Sequence, residues 1–458
     1  MSAYTAICAH LLFPLHERIK GHQSVAVRRR LERSQWLPAD ALEQQRVARL
    51  RDFLVDVGRQ VPYYRTQFEH LGFDPAKLSS LSDLQRLPLL AKADIRAHQQ
   101  ALKADDHGPL ARFNTGGSSG EPLVFFMGKG RTSHDVGAKW RATRWWGVDI
   151  GDTELVVWGS PIELGAQDRL RRLRDGVMRS HLLPAFEMSE TKLDGFVATL
   201  RARRPRMLFG YPSALALIAR YAERRGQRLD NIGVKVAFVT SERLYDDQRA
   251  TISRVFGCRV ANGYGGRDAG FIAHECPEGG MHLMAEDIIV ELIDAEGRAV
   301  PAGEPGEIVV THMATRDFPF VRYRTGDVAV MDNRACACGR GLPMLREIQG
   351  RTTDFVIAGD GTVLHGLSLI YIVRDLAGVQ SFKVVQESLS LTRLMLVVDA
   401  SFDRSNVAQI VAGFKQRLGQ GVRVEVEFVE RIPAERSGKF RYIVSHAVAP
   451  HGGAASHA

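Results

Sequence analysis

Cysteine and negative charge are what this 458-residue chain has little of: five residues are Cys, and 52 Asp and Glu stand against 61 Lys and Arg. Five cysteines cannot staple a chain of this size, which excludes a disulfide scaffold and favours a reducing, cytoplasmic setting. Apolar runs long enough to span a bilayer are also missing. The opening residues, MSAYTAICAHLLFPLHERIKG, lack a basic leader and are cut by Pro14, so they read as a docked or interfacial helix, peripheral to a membrane at most. The net charge of +9 comes from scattered arginines such as Arg28, Arg29, Arg30 and the group in 169–174. That scatter fits solvated faces and sites for anionic substrates, and no nucleic acid is expected as a partner.

What is present describes a soluble enzyme with a large core and an appended smaller domain: 45% hydrophobic and 25% charged residues, without an internal repeat. Val47, Leu50, Leu54 and Val57 fall at helical spacing within 38–59, and Pro62 limits that helix downstream. Short β-rich runs at 155–158, 207–211, 234–240 and 259–262 alternate with helical stretches at 191–203, 213–225 and 246–256. Closely spaced strands, IIVELI and GEIVVTHM, then follow around the turn segment DAEGRAVPAGEPGE. The expected fold class is α/β. It comprises a large N-terminal domain (1–350) of packed β-sheets with helices, including a β subdomain at about 280–350, and a small mobile α+β domain (351–447). Residues 448–458, HGGAASHA with its preceding segment, read as a disordered tail.

The stretch RFNTGGSSGEPLVFF at 112–126 resembles a phosphate loop without its lysine. Thr115, Gly116, Gly117, Ser118, Ser119 and Gly120 offer backbone N–H groups and hydroxyls to one anion, since glycine permits the necessary turn and close approach. By itself such a run is a common turn. Four further stretches give it context: Asn262-Gly-Tyr-Gly-Gly-Arg-Asp268, Tyr323-Arg-Thr-Gly-Asp327, Gly350-Arg-Thr-Thr-Asp354 and Arg436-Ser-Gly-Lys-Phe-Arg441.

In this order the five motifs resemble those of the adenylate-forming superfamily of acyl-CoA synthetases and adenylation domains. The narrower resemblance, carried by VPYYR (61–65), TGGSSGEPL, YGGRDAGFIAHEC and CACGRGLP, is to phenylacetate-CoA ligase and CapK-type proteins, over about residues 40–447. It implies an N-terminal domain that binds ATP and a carboxylic acid, and a C-terminal domain that swivels over them. Lys439 takes the place of the catalytic lysine, and Arg267, where relatives carry Thr or Ser, is the second catalytic candidate. Asp327 suits the ribose hydroxyls, and Asp268, standing where the family has Glu, suits Mg2+. Ser241, Glu242 and Arg243 match the stretch that flanks adenine, Tyr264 lies against adenine or the acyl pocket, and Asn262, Gly263, Gly265 and Arg351 complete the implied ATP set. The hinge falls on Thr353 or Asp354. The segment GDGTVLHGLSL departs from the family by lacking its Gly-x-Arg/Asn.

Cys276-x5-His282 and Cys336-x-Cys338 supply a candidate Cys3His shell for structural zinc, with His274 as a rival ligand and buried free thiols as the alternative. The implied activity is an ATP-dependent, AMP-forming ligase for an aryl or small acyl acid, which passes the acyl group to CoA, a carrier-protein thiol or an amine. Adenylyl transfer without a thioester is the alternative, and nucleotide binding without catalysis a third reading. Relatives suggest a homodimer.

Overall fold

Leu50, Leu54 and Val57 are fully buried along one face of the helix Ala39–Gln60. Pro62 opens the next helix, Pro62–Leu71, in the first turn, where its missing N–H costs nothing. In that helix the hydroxyl of Tyr64 donates to the Pro319 carbonyl and accepts from the Val321 N–H, both at 3.2 Å, so VPYYR pins the N-terminal helices to the core. The computed structural model describes residues 2–115, 123–158, 168–185, 187–242, 244–294, 296–348, 355–374, 376–430, 432 and 443–447.

Among the described residues the framework is an eleven-stranded sheet. Its parallel half runs from Ser180–Pro184 through Glu154–Trp158, Met207–Gly210 and Val236–Thr240 to Arg259–Gly266. Parallel neighbours require crossovers, which the helices Glu190–Arg203, Pro212–Arg224 and Asp246–Phe256 supply, and these strands are apolar on both faces as a covered sheet demands. From Gly270–Glu275 the sheet continues antiparallel through Met281–Leu283, Met344–Ile348, Tyr323–Asp332 and Pro305–His312 to Ile288–Ile293. The strands expected as a β subdomain are thus the antiparallel half of this one sheet. Register explains why: Met281 pairs with both Glu275 and Leu345, which carries the hydrogen-bond ladder straight across.

Toward the C-terminus a four-stranded sheet, in the order Arg423–Phe428, Leu391–Val398, Val379–Ser388, Ile443–Ser445, packs on the helices Leu367–Arg374 and Asn406–Leu418 around its own core. The hairpin Phe355–Ile357/Val363–His365 also pairs with Glu187–Met188, giving the C-terminal part a strand contact with the larger one.

The helix Lys129–Trp145 buries an unusual load of charge. Gly137 admits the neighbouring helix Ser24–Ser34, since a Cβ there would lie 3.0 Å from the Ser24 carbonyl. One turn on, Arg141 forms an ion pair with Glu286, both fully buried, and also donates to the Leu31 carbonyl, while Ser34 adds a bond to the same carboxylate. Arg141→Met should strand the Glu286 charge and cost about 3–5 kcal/mol. Arg141→Met with Glu286→Gln should recover most of that loss, a comparison that chemical denaturation of both variants measures.

Candidate active site

The strand Arg259–Gly266 pairs in parallel with Val236–Thr240 on one side and antiparallel with Gly270–Glu275 on the other. In open α/β sheets ligands bind in the crevice outside the carboxyl ends of the parallel strands. Three of the expected segments reach it. After Thr240 the chain turns through Ser241, a non-glycine residue at φ 74°, strain of the kind that functional sites retain. Glu242 next accepts bonds from the Ser213 hydroxyl and, at 3.4 Å, its N–H, at the start of the helix Pro212–Arg224.

The second segment, Asn262 to Asp268, is a tight hairpin. A Cβ on Gly265 would fall 2.1 Å from the Gly270 carbonyl, and one on Gly263 would meet the Phe238 ring at 2.8 Å, so only glycine fits either place. Asn262 is anchored by its N–H on the Glu275 carboxylate at 2.8 Å.

The third segment, Tyr323 to Asp327, crosses the second through two tyrosine–carboxylate bonds. The Tyr264 hydroxyl donates to Asp327 at 3.0 Å, and the Tyr323 hydroxyl donates to Asp268 at 2.6 Å. Burial and the Asp327 carboxylate push the Tyr264 hydroxyl well above its ordinary pKa, so it stays a donor. Arg324, between them, is turned away onto Glu307.

Arg267 is exposed and donates to the Asn114 carbonyl at 3.3 Å. Asn114 ends the strand Ala111–Asn114, which pairs with Val124–Met127. Reciprocal 3.0 Å bonds between Thr115 and Leu123 close the base of the Gly/Ser loop. A cation therefore stands beside the entrance to a loop that carries none. Gly116, Gly117, Ser118, Ser119, Gly120, Arg243, Arg351, Thr353, Asp354 and Lys439 lie outside the described residues, as does the 448–458 tail.

Sequence reasoning missed what holds Arg267 and Asp268 in place. Arg131 donates to both of their carbonyls at 3.1 Å and to both oxygens of Asp135 at 3.0 Å. Beside it His134 lies 3.7 Å from Asp135 and 3.1 Å from Asp287. Burial alone would depress the His134 pKa, but the two carboxylates outweigh it and raise the value. His312 is driven the other way, well down, by burial and by the Arg131 and His134 charges. His134, Asp135 and His312 have the spacing of a metal group, and within it both Asp135 oxygens already accept from Arg131, which braces the hairpin. Its only sequence signal is charge on the buried face of Lys129–Trp145.

Cys276, His282, Cys336 and Cys338 do converge, with all four ligand atoms within 4.8 Å of one another. The Cys276 and Cys336 sulfurs are 3.6 Å apart, and His282 Nε2 is 3.2 Å from the Cys338 sulfur. Nδ1 of His282 donates to the Leu342 carbonyl at 3.2 Å, which leaves the Nε2 lone pair facing the sulfurs. A Cβ on Gly280 would lie 2.7 Å from the Cys336 sulfur. His274 is not part of the group: it is buried between Phe238 and Phe271, and burial lowers its pKa to about 3.

Comparison with known proteins matches residues 178–315 to the AMP-binding enzyme model and residues 356–446 to the CapK C-terminal domain model. Protein CapK of Staphylococcus aureus is 23% identical over 81% of this chain and 82% of its own length. The phenylacetate-coenzyme A ligase of Pseudomonas putida is 28% identical over 69% of this chain and 72% of its own. Among solved structures, 2-hydroxyisobutyryl-CoA ligase in complex with 2-HIB-AMP and CoA superposes with a TM-score of 0.64 at 22% identity, covering 91% of this chain and 92% of that one, a likeness of fold.

A raised histidine pKa contributes stability that is complete below the unfolded value of about 6.5 and is lost as pH rises through the folded one. His134→Gln should therefore lower the melting temperature most at acidic pH, and the gap from wild type should narrow as pH increases, as a series of melts across pH checks.

Proposed function

We propose that this chain, a member of the adenylate-forming superfamily with an AMP-binding region and a CapK C-terminal domain, is an ATP-dependent, AMP-forming ligase. It activates a carboxylic acid as an acyl-adenylate and passes the acyl group to a thiol, of CoA or of a carrier protein. The reading rests on the crossed Tyr264–Asp327 and Tyr323–Asp268 bonds, which fix two carboxylates of different motifs in one crevice.

The chemistry needs that arrangement. The acid's carboxylate oxygen attacks the α-phosphorus of ATP, and the bond to the leaving pyrophosphate breaks; two anions must meet while charge moves onto the departing group. In our assignment Asp327 accepts from the ribose hydroxyls, Ser241 and Glu242 border the adenine with Tyr264, and the 115–120 loop donates N–H and hydroxyl groups to the pyrophosphate. Arg267 reaches the phosphates from the loop's entrance. Mg2+ held at Asp268 would supply further charge neutralisation, and Tyr323 keeps that carboxylate turned toward it. Lys439 bridges the carboxylate and the α-phosphate, then withdraws as the C-terminal part pivots near Thr353 and Asp354. The acceptor sulfur next attacks the acyl carbon, and AMP leaves.

An aryl or small apolar acid suits the aromatic pair at the carboxyl ends of two parallel strands, where Trp158 stacks on Tyr211 at 4.5 Å between centroids. The Cys3His group has the donor set and spacing of a closed tetrahedral zinc site. We assign it a structural role, joining Cys276 at the end of the crevice's second hairpin to the 336–338 turn.

Purified protein offered a panel of aryl and small aliphatic acids should show acid-dependent ATP–pyrophosphate exchange. Lys439→Ala should reduce it about 10²–10³-fold. Tyr323→Phe should act more mildly, raising the Mg2+ requirement by about 10–100-fold. No acid-dependent exchange, or a Lys439→Ala rate equal to wild type, would sink the assignment. Elemental analysis should find zinc near one per chain and little in Cys336→Ser, with a lowered melting temperature; metal-free protein that melts as before on chelation would refute the zinc site.

A further inference from the structure

The first twenty residues show an apolar ridge to solvent. The helices Ala3–Ile7 and Phe13–Lys20 are joined by a π-helical turn, Cys8–Leu12, and Pro14, which has no N–H to give, follows that turn directly. The wider i→i+5 turn changes the phase of the side chains. Residues four apart, which would drift around an α-helix, stay on one face. Ile7, Leu11, Leu15 and Ile19 all lie exposed there, Leu11 at 62% and Ile19 at 78%. The ridge extends onto the helix Asp168–Val177, because the Tyr4 hydroxyl donates to the Val177 carbonyl at 2.8 Å and the Cys8 thiol reaches it at 3.6 Å. One turn before Val177, Leu173 is 67% exposed.

The charge around this ridge is predominantly positive. Glu17 is the only acid in residues 1–31, and it is buried, 3.1 Å from His16 and 3.3 Å from His22, with the Ser24 hydroxyl on it as well. Arg18 and Lys20 are exposed beside Ile19, and Arg179 lies over the Tyr4 ring at 4.4 Å. The helix Asp168–Val177 carries four arginines in its sequence against two aspartates, one of which, Asp175, pairs with Arg174. A two-fold contact between copies would set these cations against themselves. Among the described residues no helix is long and apolar enough to cross a bilayer. Apolar side chains along one face, flanked by exposed cations, with Glu17 buried and Asp175 paired with Arg174, match the requirements of an interfacial helix on anionic lipid.

We propose that the ridge formed by Tyr4, Ile7, Leu11, Leu15 and Ile19, with Leu173, docks the protein on an anionic membrane surface, lying in the plane of the headgroups. The inference is independent of the ligase reading, since it uses none of that site's residues.

Flotation of the full chain with vesicles of phosphatidylcholine plus phosphatidylglycerol, against phosphatidylcholine alone, tests it. Binding should be confined to the anionic vesicles and should weaken with added salt. Leu11→Glu with Ile19→Glu should lower the bound fraction about tenfold or more, and Arg18→Gln with Lys20→Gln should lower it and flatten the salt dependence. All four positions are exposed, so both variants should melt as wild type does. Absence of flotation, equal binding to neutral vesicles, or unchanged binding by both variants overturns the proposal. A concentration-dependent dimer in sedimentation that Leu11→Glu with Ile19→Glu dissolves, without vesicle binding, assigns the ridge to a second copy instead.

Discussion

A carboxylate cut off from water must be matched on the spot by cations, and Asp287 is matched by three, Arg30, Arg49 and His134, drawn from separate helices. Burial alone would raise its pKa; the imidazole and the two guanidiniums instead hold it far below the usual range. Its neighbour Glu286 binds Arg141 and Ser34 in the same way. These two residues stand just before the edge strand Ile288–Ile293. They therefore clamp the N-terminal helices and the long helix Lys129–Trp145 to the antiparallel half of the sheet. Such pairs add little net stability over apolar residues, but each punishes any packing that leaves a partner behind.

The same clamp extends to the crevice. Through His134 and Asp135 it meets Arg131, whose guanidinium grips the carbonyls of Arg267 and Asp268. The hairpin that presents the candidate metal-binding carboxylate is therefore held from below by charge and from the side by the Tyr323 hydroxyl. Side chains meant to meet phosphates need such rigid support, because an error of an ångström weakens both electrostatic stabilisation and alignment. A phosphate loop without a lysine makes sense in this setting. Arg267 stands at its base, and in the proposed mechanism the second cation arrives on another part of the chain.

Much of this was legible in the order of residues. Helix 39–60, the helices 190–203, 212–224 and 246–256 and four of the five described strands of the parallel half follow from apolar periodicity, which local geometry dictates; Ser180–Pro184 carries too little of it to be read. The Cys3His group was legible from residue chemistry, although choosing His282 over His274 needed the packing that sets His274 against Phe238 and Phe271 and brings His282 Nε2 to the Cys338 sulfur. That the antiparallel strands of the β subdomain share one sheet with the parallel strands was not legible, because a hydrogen-bond ladder does not announce where one sheet ends.

By itself the sequence determined the motifs, their order, and the local conformations that glycine, proline and apolar spacing impose, since these depend on neighbours a few residues apart. Only the tertiary structure decided that Tyr264 answers Asp327 while Tyr323 answers Asp268, that Arg131 bears on the hairpin, and that an apolar ridge is left facing water. Each of those facts joins segments tens to hundreds of residues apart. Which charge meets which, and which apolar face finds no partner, is settled by register and packing over the whole sheet, and no local rule carries that information.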